Sequence, residues 1–260
     1  MAVSLLAWPG AIAIGVSLGL LGSGGSILTV PVLVYLLGQD EKVAIAGSLF
    51  VVGSIALAGS LQFLRAGFID WRNVFIFGVP GMVGTYLGAL IAAFVPGIVQ
   101  LSLFAVVMLL ASYLMLRPVK LEDVRNEPRA VWKIAIDGLI VGVITGLVGV
   151  GGGFLIVPAL VLLGGLSMHK AVATSLMIIA LKSFSGFYKY LDVLEKQGLD
   201  LDWQTLMLVT ALGIVGSFAG AKMAHRVPQH KLKKGFGLFL IVMGIYILAR
   251  SLPDALGLAP

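Results

Sequence analysis

The sequence predicts an all-α multi-pass integral membrane protein. It is made of two tandem, inverted structural repeats, each beginning with a glycine-broken, re-entrant helical segment. Three observations predict this. First, 59% of the 260 residues are hydrophobic and only 12% are charged, whereas soluble domains carry about 25% charged residues. Second, charge is absent over long stretches, from Met1 to Gln39 and from Asn73 to Leu116. A helical span needs about 20 mostly apolar residues, so each stretch has room for spans. Third, Gly15–Gly59 aligns without a gap onto Gly142–Gly186 at an offset of 127.

Apolar runs between charged or Pro/Gly breaks lie at 10–38, 43–64, 73–95, 99–116, 134–165, 168–190, 203–225 and 234–250. Connections are short except for Arg117–Lys133, which is polar, strongly charged and holds two prolines. It divides the chain into a first membrane repeat (1–117), a cytoplasmic linker (118–133) and a second membrane repeat (134–260). In the alignment Pro31 falls on Pro158, Ser48 on Ser175 and Gly59 on Gly186. Further on, Asp70-Trp71 matches Asp202-Trp203, Val95-Pro96 matches Val227-Pro228, and Tyr113 and Arg117 match Tyr246 and Arg250. Chance similarity between Gly- and Leu-rich segments does not keep Pro, Gly and Ser in register, so the chain reads as one membrane unit used twice. The 34 glycines suit close helix packing and broken helices in a bilayer. Met1–Gly10 lacks the basic start of a secretory signal and reads as the start of the mature protein.

The first segment of each unit is interrupted, at Gly22–Ser26 and at Gly149–Gly153. Each glycine costs about 1 kcal/mol relative to Ala inside a helix, so a cluster unwinds it. The flanking pieces are too short to span as straight helices and suit re-entrant hairpins. If every segment crossed once, the two sides would carry ten and six basic residues. If the first segment of each unit instead returns to its own side, twelve fall on one side. The other keeps Lys42, Lys189, Lys196 and Arg250. The positive-inside rule favours the second arrangement. Each unit then crosses an odd number of times, the halves are inverted, both termini are periplasmic and the linker is cytoplasmic.

A helix that restarts after a break offers free N–H groups and the positive end of its dipole. Ile27 and Phe154 open two such starts, related by the repeat. Paired Gly-interrupted segments at matching places in two halves point to a transporter binding site. Here they would cradle an anion with the backbone of Gly24, Gly25, Gly151, Gly152 and Gly153 and the hydroxyls of Ser23 and Ser26. The competing reading is that these glycines only let helices pack closely. A nucleotide-binding loop does not fit, for no Gly-Lys-Ser/Thr, strand pattern or suitably spaced acid is present. The net charge of +6 belongs to orientation-setting loops, and no nucleic-acid partner is implied. With no Cys and no metal motif, no cofactor or metal is expected.

Gly19–Pro31 and Gly146–Pro158, with Ala44–Ser48 and Lys170–Ser175 following them, resemble the TauE/SafE family of sulfite-exporter-like membrane proteins, also called the 4-toluene sulfonate uptake permeases. The likeness covers nearly the whole chain. It implies a transporter of the bacterial inner membrane for small sulfur-containing anions, such as sulfite, sulfoacetate or taurine-derived sulfonates. The family includes exporters and importers. The function expected here is a secondary transporter working in export by alternating access. Its partners would be that anion and the lipid bilayer, with a homodimer as the expected assembly.

Among individual residues, Lys182 stands out. A lysine at the centre of a span costs about 2.5–3.5 kcal/mol, and such residues face a cavity or a partner. No carboxylate lies in its segment, so a sulfonate or sulfite would supply the counter-ion. Snorkelling, or pairing with a distant acid, is the plainer reading. Its repeat counterpart is Ile55, so the charge breaks the symmetry. Ser48, Thr174, Ser175, Ser183 and Ser185 either donate to ligand oxygens or bond their own helix backbone. Gln62 and Tyr188 are weaker candidates. Asp137, the single acid inside an apolar run, is the proton-coupling candidate. Trp8, Trp71, Trp132 and Trp203 fall at segment boundaries, as an aromatic belt requires.

Two rival functions remain open on these residues. The same helix ends and Lys182 could line an anion channel. An intramembrane serine protease would use Ser23 with His225, but His169, His225 and His230 all lie near segment ends.

Overall fold

The structure, a computed structural model, describes residues 7–21, 25–116, 130–150, 156–157, 160, 166–224 and 229–255. Among these residues every regular element is helical. In chain order they are α1 (Ala7–Leu21), α2 (Ser26–Leu36), α3 (Glu41–Arg65), α4 (Trp71–Ala92), α5 (Gly97–Leu116), α6 (Val131–Val148), α7 (Met168–Gln197), α8 (Trp203–Ala224) and α9 (Gln229–Ala255). Five of them, α3, α4, α6, α7 and α8, are long and apolar enough to cross a membrane.

Helix starts follow from short acids. Asp70 and Asp202, counterparts in the repeat, each cap a helix. Asp70 accepts from Asn73 N at 3.1 Å and Asp202 from Thr205 N at 3.1 Å. Asp40 does the same for α3, accepting from Lys42 N at 2.9 Å. Two π turns, Val32–Leu36 in α2 and Val74–Gly78 in α4, adjoin Pro31 and Pro80. A proline removes a backbone donor and crowds the preceding turn, which is where the second π turn lies relative to Pro80. α7 continues seven residues beyond the apolar segment read from the sequence. Lys189, near the end of that segment, pairs with Asp192 in the extension at 2.9 Å, and Gly198 closes the helix.

The expected break at Gly22–Ser26 falls largely outside the described residues, which follow α1 to Leu21 and resume at Gly25, ahead of α2 at Ser26. α2 then runs back along α1. A methyl group on Gly25 would stand 2.3 Å from Leu18 N, and one on Gly10 would stand 3.1 Å from the side chains of Val32 and Leu36. The pair is therefore an antiparallel hairpin. In the second unit α6 ends at Gly149, whose φ of 73° is left-handed and favours glycine.

Helices pair across the units. α1 packs on α8, and α4 packs on α6. Both seams rely on backbone-to-backbone approach. A methyl on Gly84 would lie 2.2 Å from the Leu139 carbonyl oxygen, and one on Gly216 would lie 2.7 Å from that of Ile12. A methyl on Gly88 would lie 2.2 Å from the Val143 carbonyl oxygen, and one on Gly220 would lie 2.2 Å from that of Val16. Ile12 and Leu139, and Val16 and Val143, are 127 apart, so counterpart glycines meet counterpart backbones. In a bilayer, where lipid is as apolar as leucine, close approach of this kind drives helix association. α3 and α7, the most buried long helices, cross antiparallel in the middle. A methyl on Gly59 would face Leu176, and one on Gly53 would face Ser183. α5 and α9 also run antiparallel, tied by Ser102 to Ser251 at 2.9 Å and by Ser112 to the Gly237 carbonyl at 2.8 Å.

Candidate anion site

Lys182 lies at the midpoint of the 30-residue α7 and is 1% exposed. Its stem crosses Gly81 of α4. A methyl there would stand 2.9 Å from Lys182 Cδ, so the glycine lets the lysine stem lie close against α4. The ammonium nitrogen has no hydrogen-bond partner among the described residues, and neither has the buried Ser183 hydroxyl beside it. An unpaired buried polar group costs about 1–3 kcal/mol and more if charged, so such a group calls for an explanation.

The counterpart position explains how this packing arose. Ile55 meets Gly213 as Lys182 meets Gly81: a methyl on Gly213 would stand 2.3 Å from Ile55 Cδ1. The two units share the packing, and one of them places a charge in it. On the Ile55 side lies a cavity lined by Leu18, Gly19, Ile55, Gly59, Gln62, Phe63, Val172, Leu176, Ser217 and Ala221. On the Lys182 side the Thr85 methyl packs on Gly186, where an added methyl would stand 2.6 Å from it.

The other candidates separate into two groups. Ser48 is committed to the break in the second unit. Its hydroxyl lies between the Gly149 carbonyl, at short range, and the Ile45 carbonyl at 2.8 Å, and its one proton serves one of them at a time. Nearby, Gln100 Nε2 donates to the Leu147 carbonyl at 2.7 Å and to Tyr190 Oη at 2.9 Å. The Thr145 carbonyl accepts from Gly149 N and Val150 N. The loose carbonyls at the end of α6 are thus held by α3, α5 and α7, as a buried helix terminus requires. The sequence reading did not single out Gln100 or Tyr190. The signal for Gln100 was there, a lone carboxamide in an otherwise apolar run.

Thr174 and Ser175 lie away from Lys182, about 10 Å back along α7 at 1.5 Å per residue. Thr174 Oγ1 accepts from Asp70 N at 3.0 Å, and Ser175 donates to its own helix at the Val172 carbonyl, 2.8 Å away. Ser185 donates to the Met82 carbonyl at 3.0 Å. Asp137 is half-buried and engaged with a neighbour. It lies next to Gly138, which meets Phe77, one turn of α4 before Gly81. Gly25 and Ser26 are buried at the start of α2. Ser23, Gly24, Gly151, Gly152, Gly153 and His225 lie outside the described residues. No cluster of metal-ligating side chains occurs among the described residues.

A family model described as sulfite exporter TauE/SafE matches residues 7–247. The chain belongs to the sulfite exporter TauE/SafE family. The TauE/SafE relatives include a probable membrane transporter protein of Xylella fastidiosa, 33% identical over 92% of each chain. Another, from Bacillus subtilis, is 33% identical over 88% of this chain and 91% of its own. A third, from Methanocaldococcus jannaschii, is 26% identical over 94% and 96%. No solved structure matches the chain. Like its TauE/SafE relatives, the protein is a multi-pass membrane transporter, and their names are those of transporters rather than enzymes.

Proposed function

We propose that this TauE/SafE protein is a secondary transporter that exports small sulfur-containing anions, such as sulfite or organosulfonates, across the bacterial inner membrane. The anion is held between the two glycine-broken helix ends and Lys182. The observation that carries this reading is Lys182 itself, a mid-span lysine that is fully buried and has no partner among the described residues. A charge in that position is functional by default, and an anion supplies what it lacks. The family description supports sulfur anions as the class.

Alternating access is supported by the unequal spaces beside α3 and α7. The space at Ile55 holds a cavity, while at its counterpart the Thr85 methyl packs on Gly186. Two halves related by a repeat but set differently are what a rocking transporter requires in any one state. The inverted arrangement is supported by the antiparallel courses of the counterparts α3 and α7 and of α5 and α9. It puts the termini in the periplasm and the 118–133 linker in the cytoplasm. Reporter fusions reading a cytoplasmic C-terminus would remove that topology. A homodimer is the assembly proposed with it, and native mass spectrometry showing only the single-chain mass would remove it.

Uptake of sulfite, sulfoacetate, taurine and thiosulfate into proteoliposomes tests the function. Saturable flux of at least one, lost in Lys182→Ile, is expected. Flux of none would overturn the assignment, and unsaturable flux would make the protein a channel.

A further inference from the structure

We infer that Lys189 is an outer anion station, which receives the anion before or after Lys182 and is held ready by Asp192. The inference rests on the anion-site reading of Lys182. Seven residues separate the two lysines, so they share one face of α7 about 10 Å apart. That face follows α4: Lys182 lies over Gly81, and Lys189 Nζ stands 5.6 Å from the Tyr86 ring centroid. Between them the Thr85 methyl closes on Gly186.

Burial sets Lys189 apart from a freely solvated interfacial lysine. It closes the apolar segment 168–190, about 10 Å along α7 from Lys182. The residue is 8% exposed. Its ammonium donates to Asp192 Oδ2 at 2.9 Å, while the Asp192 side chain is 48% exposed. One partner of the pair is thus buried along the track and the other faces outward. An arriving anion can replace the carboxylate at the same ammonium without leaving a buried charge bare.

The repeat supplies the control. The counterparts of Lys182 and Lys189 are Ile55 and Gln62, both uncharged, and both line the cavity on the other side. The second unit therefore carries two cations at successive levels of one face where the first carries none. A packing requirement common to both units accounts for neither. The order along the track is Lys189, then the Thr85–Gly186 closure, then Lys182.

The test is transport kinetics in proteoliposomes with sulfite, sulfoacetate, taurine and thiosulfate, using whichever the unaltered protein carries. Lys189→Gln, the counterpart residue, is expected to raise KM about tenfold with kcat within about twofold, because it removes binding rather than turnover. The defect narrows as salt screens the site. Lys189→Arg restores KM. Asp192→Asn, a change at a side chain that is 48% exposed, is expected to lower KM several-fold by freeing Lys189. An unchanged KM in both Lys189→Gln and Asp192→Asn, with transport lost in Lys182→Ile, overturns the outer station alone. Transport retained in Lys182→Ile, or no flux of any of the four anions, overturns the site reading and this inference with it. If Lys189→Gln fails to fold, the Asp192→Asn result decides, and an unchanged or raised KM there overturns the station.

Discussion

Lys182→Ile gives the second unit the residue that the first unit carries at the same place. Ile55 packs on Gly213 where Lys182 packs on Gly81, so the shape of an isoleucine is already tolerated by this architecture. The lysine is 1% exposed at the centre of a span and its nitrogen has no partner among the described residues. On insertion scales a central lysine costs about 2.5–3.5 kcal/mol and an isoleucine gains about 0.3–0.6 kcal/mol. The substitution removes a buried polar group that has no partner, a cost of about 1–3 kcal/mol, and should therefore stabilise the fold by about that much while abolishing transport. Stability gained with function lost is the signature of a residue kept for its ligand. Thermal unfolding in detergent, followed by the fluorescence of the four tryptophans, reads the first effect. Anion uptake into proteoliposomes reads the second. A variant less stable than the unaltered protein would mean that Lys182 has a structural partner, and the reasoning from its isolation would fail.

Further outcomes follow from the same geometry. Gly88→Ala drives a methyl to 2.2 Å from the Val143 carbonyl and must part α4 from α6. A loss of about 1–3 kcal/mol, the usual cost of overpacking, should appear as a lower melting temperature. Ser48→Ala leaves the Gly149 carbonyl without its hydroxyl and should cost about 1–2 kcal/mol. Ser175→Ala removes only a bond within its own helix and should cost much less in the same melting assay. Hydrogen bonds from Thr205 Oγ1 and Thr205 N hold the Asp202 carboxyl below its ordinary range. A lowered folded-state value means that its contribution is present above the unfolded carboxylate range, about 3.9, and is lost as pH falls below it. Asp202→Ala should therefore melt earlier than the unaltered protein at pH 7 and draw level with it in strong acid.

Much of the fold was legible because membrane folds are governed by few rules. Long apolar runs marked the spanning helices, and the glycine cluster at Gly22–Gly25 lies where α1 gives way to α2. Aspartates before tryptophans gave the starts of α4 and α8. The exchange of partners, α1 with α8 and α4 with α6, was not legible. It depends on which glycine face meets which, and a glycine looks the same from every side. The extension of α7 to Gln197 was also hidden, since Val193 and Leu194 are buried in the core there while Asp192, Glu195 and Lys196 interrupt the apolar run. At the site, Lys182 was conspicuous as a lone charge in an apolar run. Its setting was not, because Gly81 and Thr85 are remote in sequence and have no charge to draw notice. Ser48 was legible as a buried hydroxyl, but its commitment to the Gly149 carbonyl needed the crossing of α3 and the end of α6.

Counterflow tests the central claim most directly. Proteoliposomes loaded with an unlabelled anion, sulfite or sulfoacetate, are diluted into a trace of the labelled one. A transporter with one anion site at Lys182 predicts a transient overshoot of label above equilibrium in the unaltered protein, and none in Lys182→Ile. A monotonic approach to equilibrium in the unaltered protein, or an overshoot that survives Lys182→Ile, would contradict it.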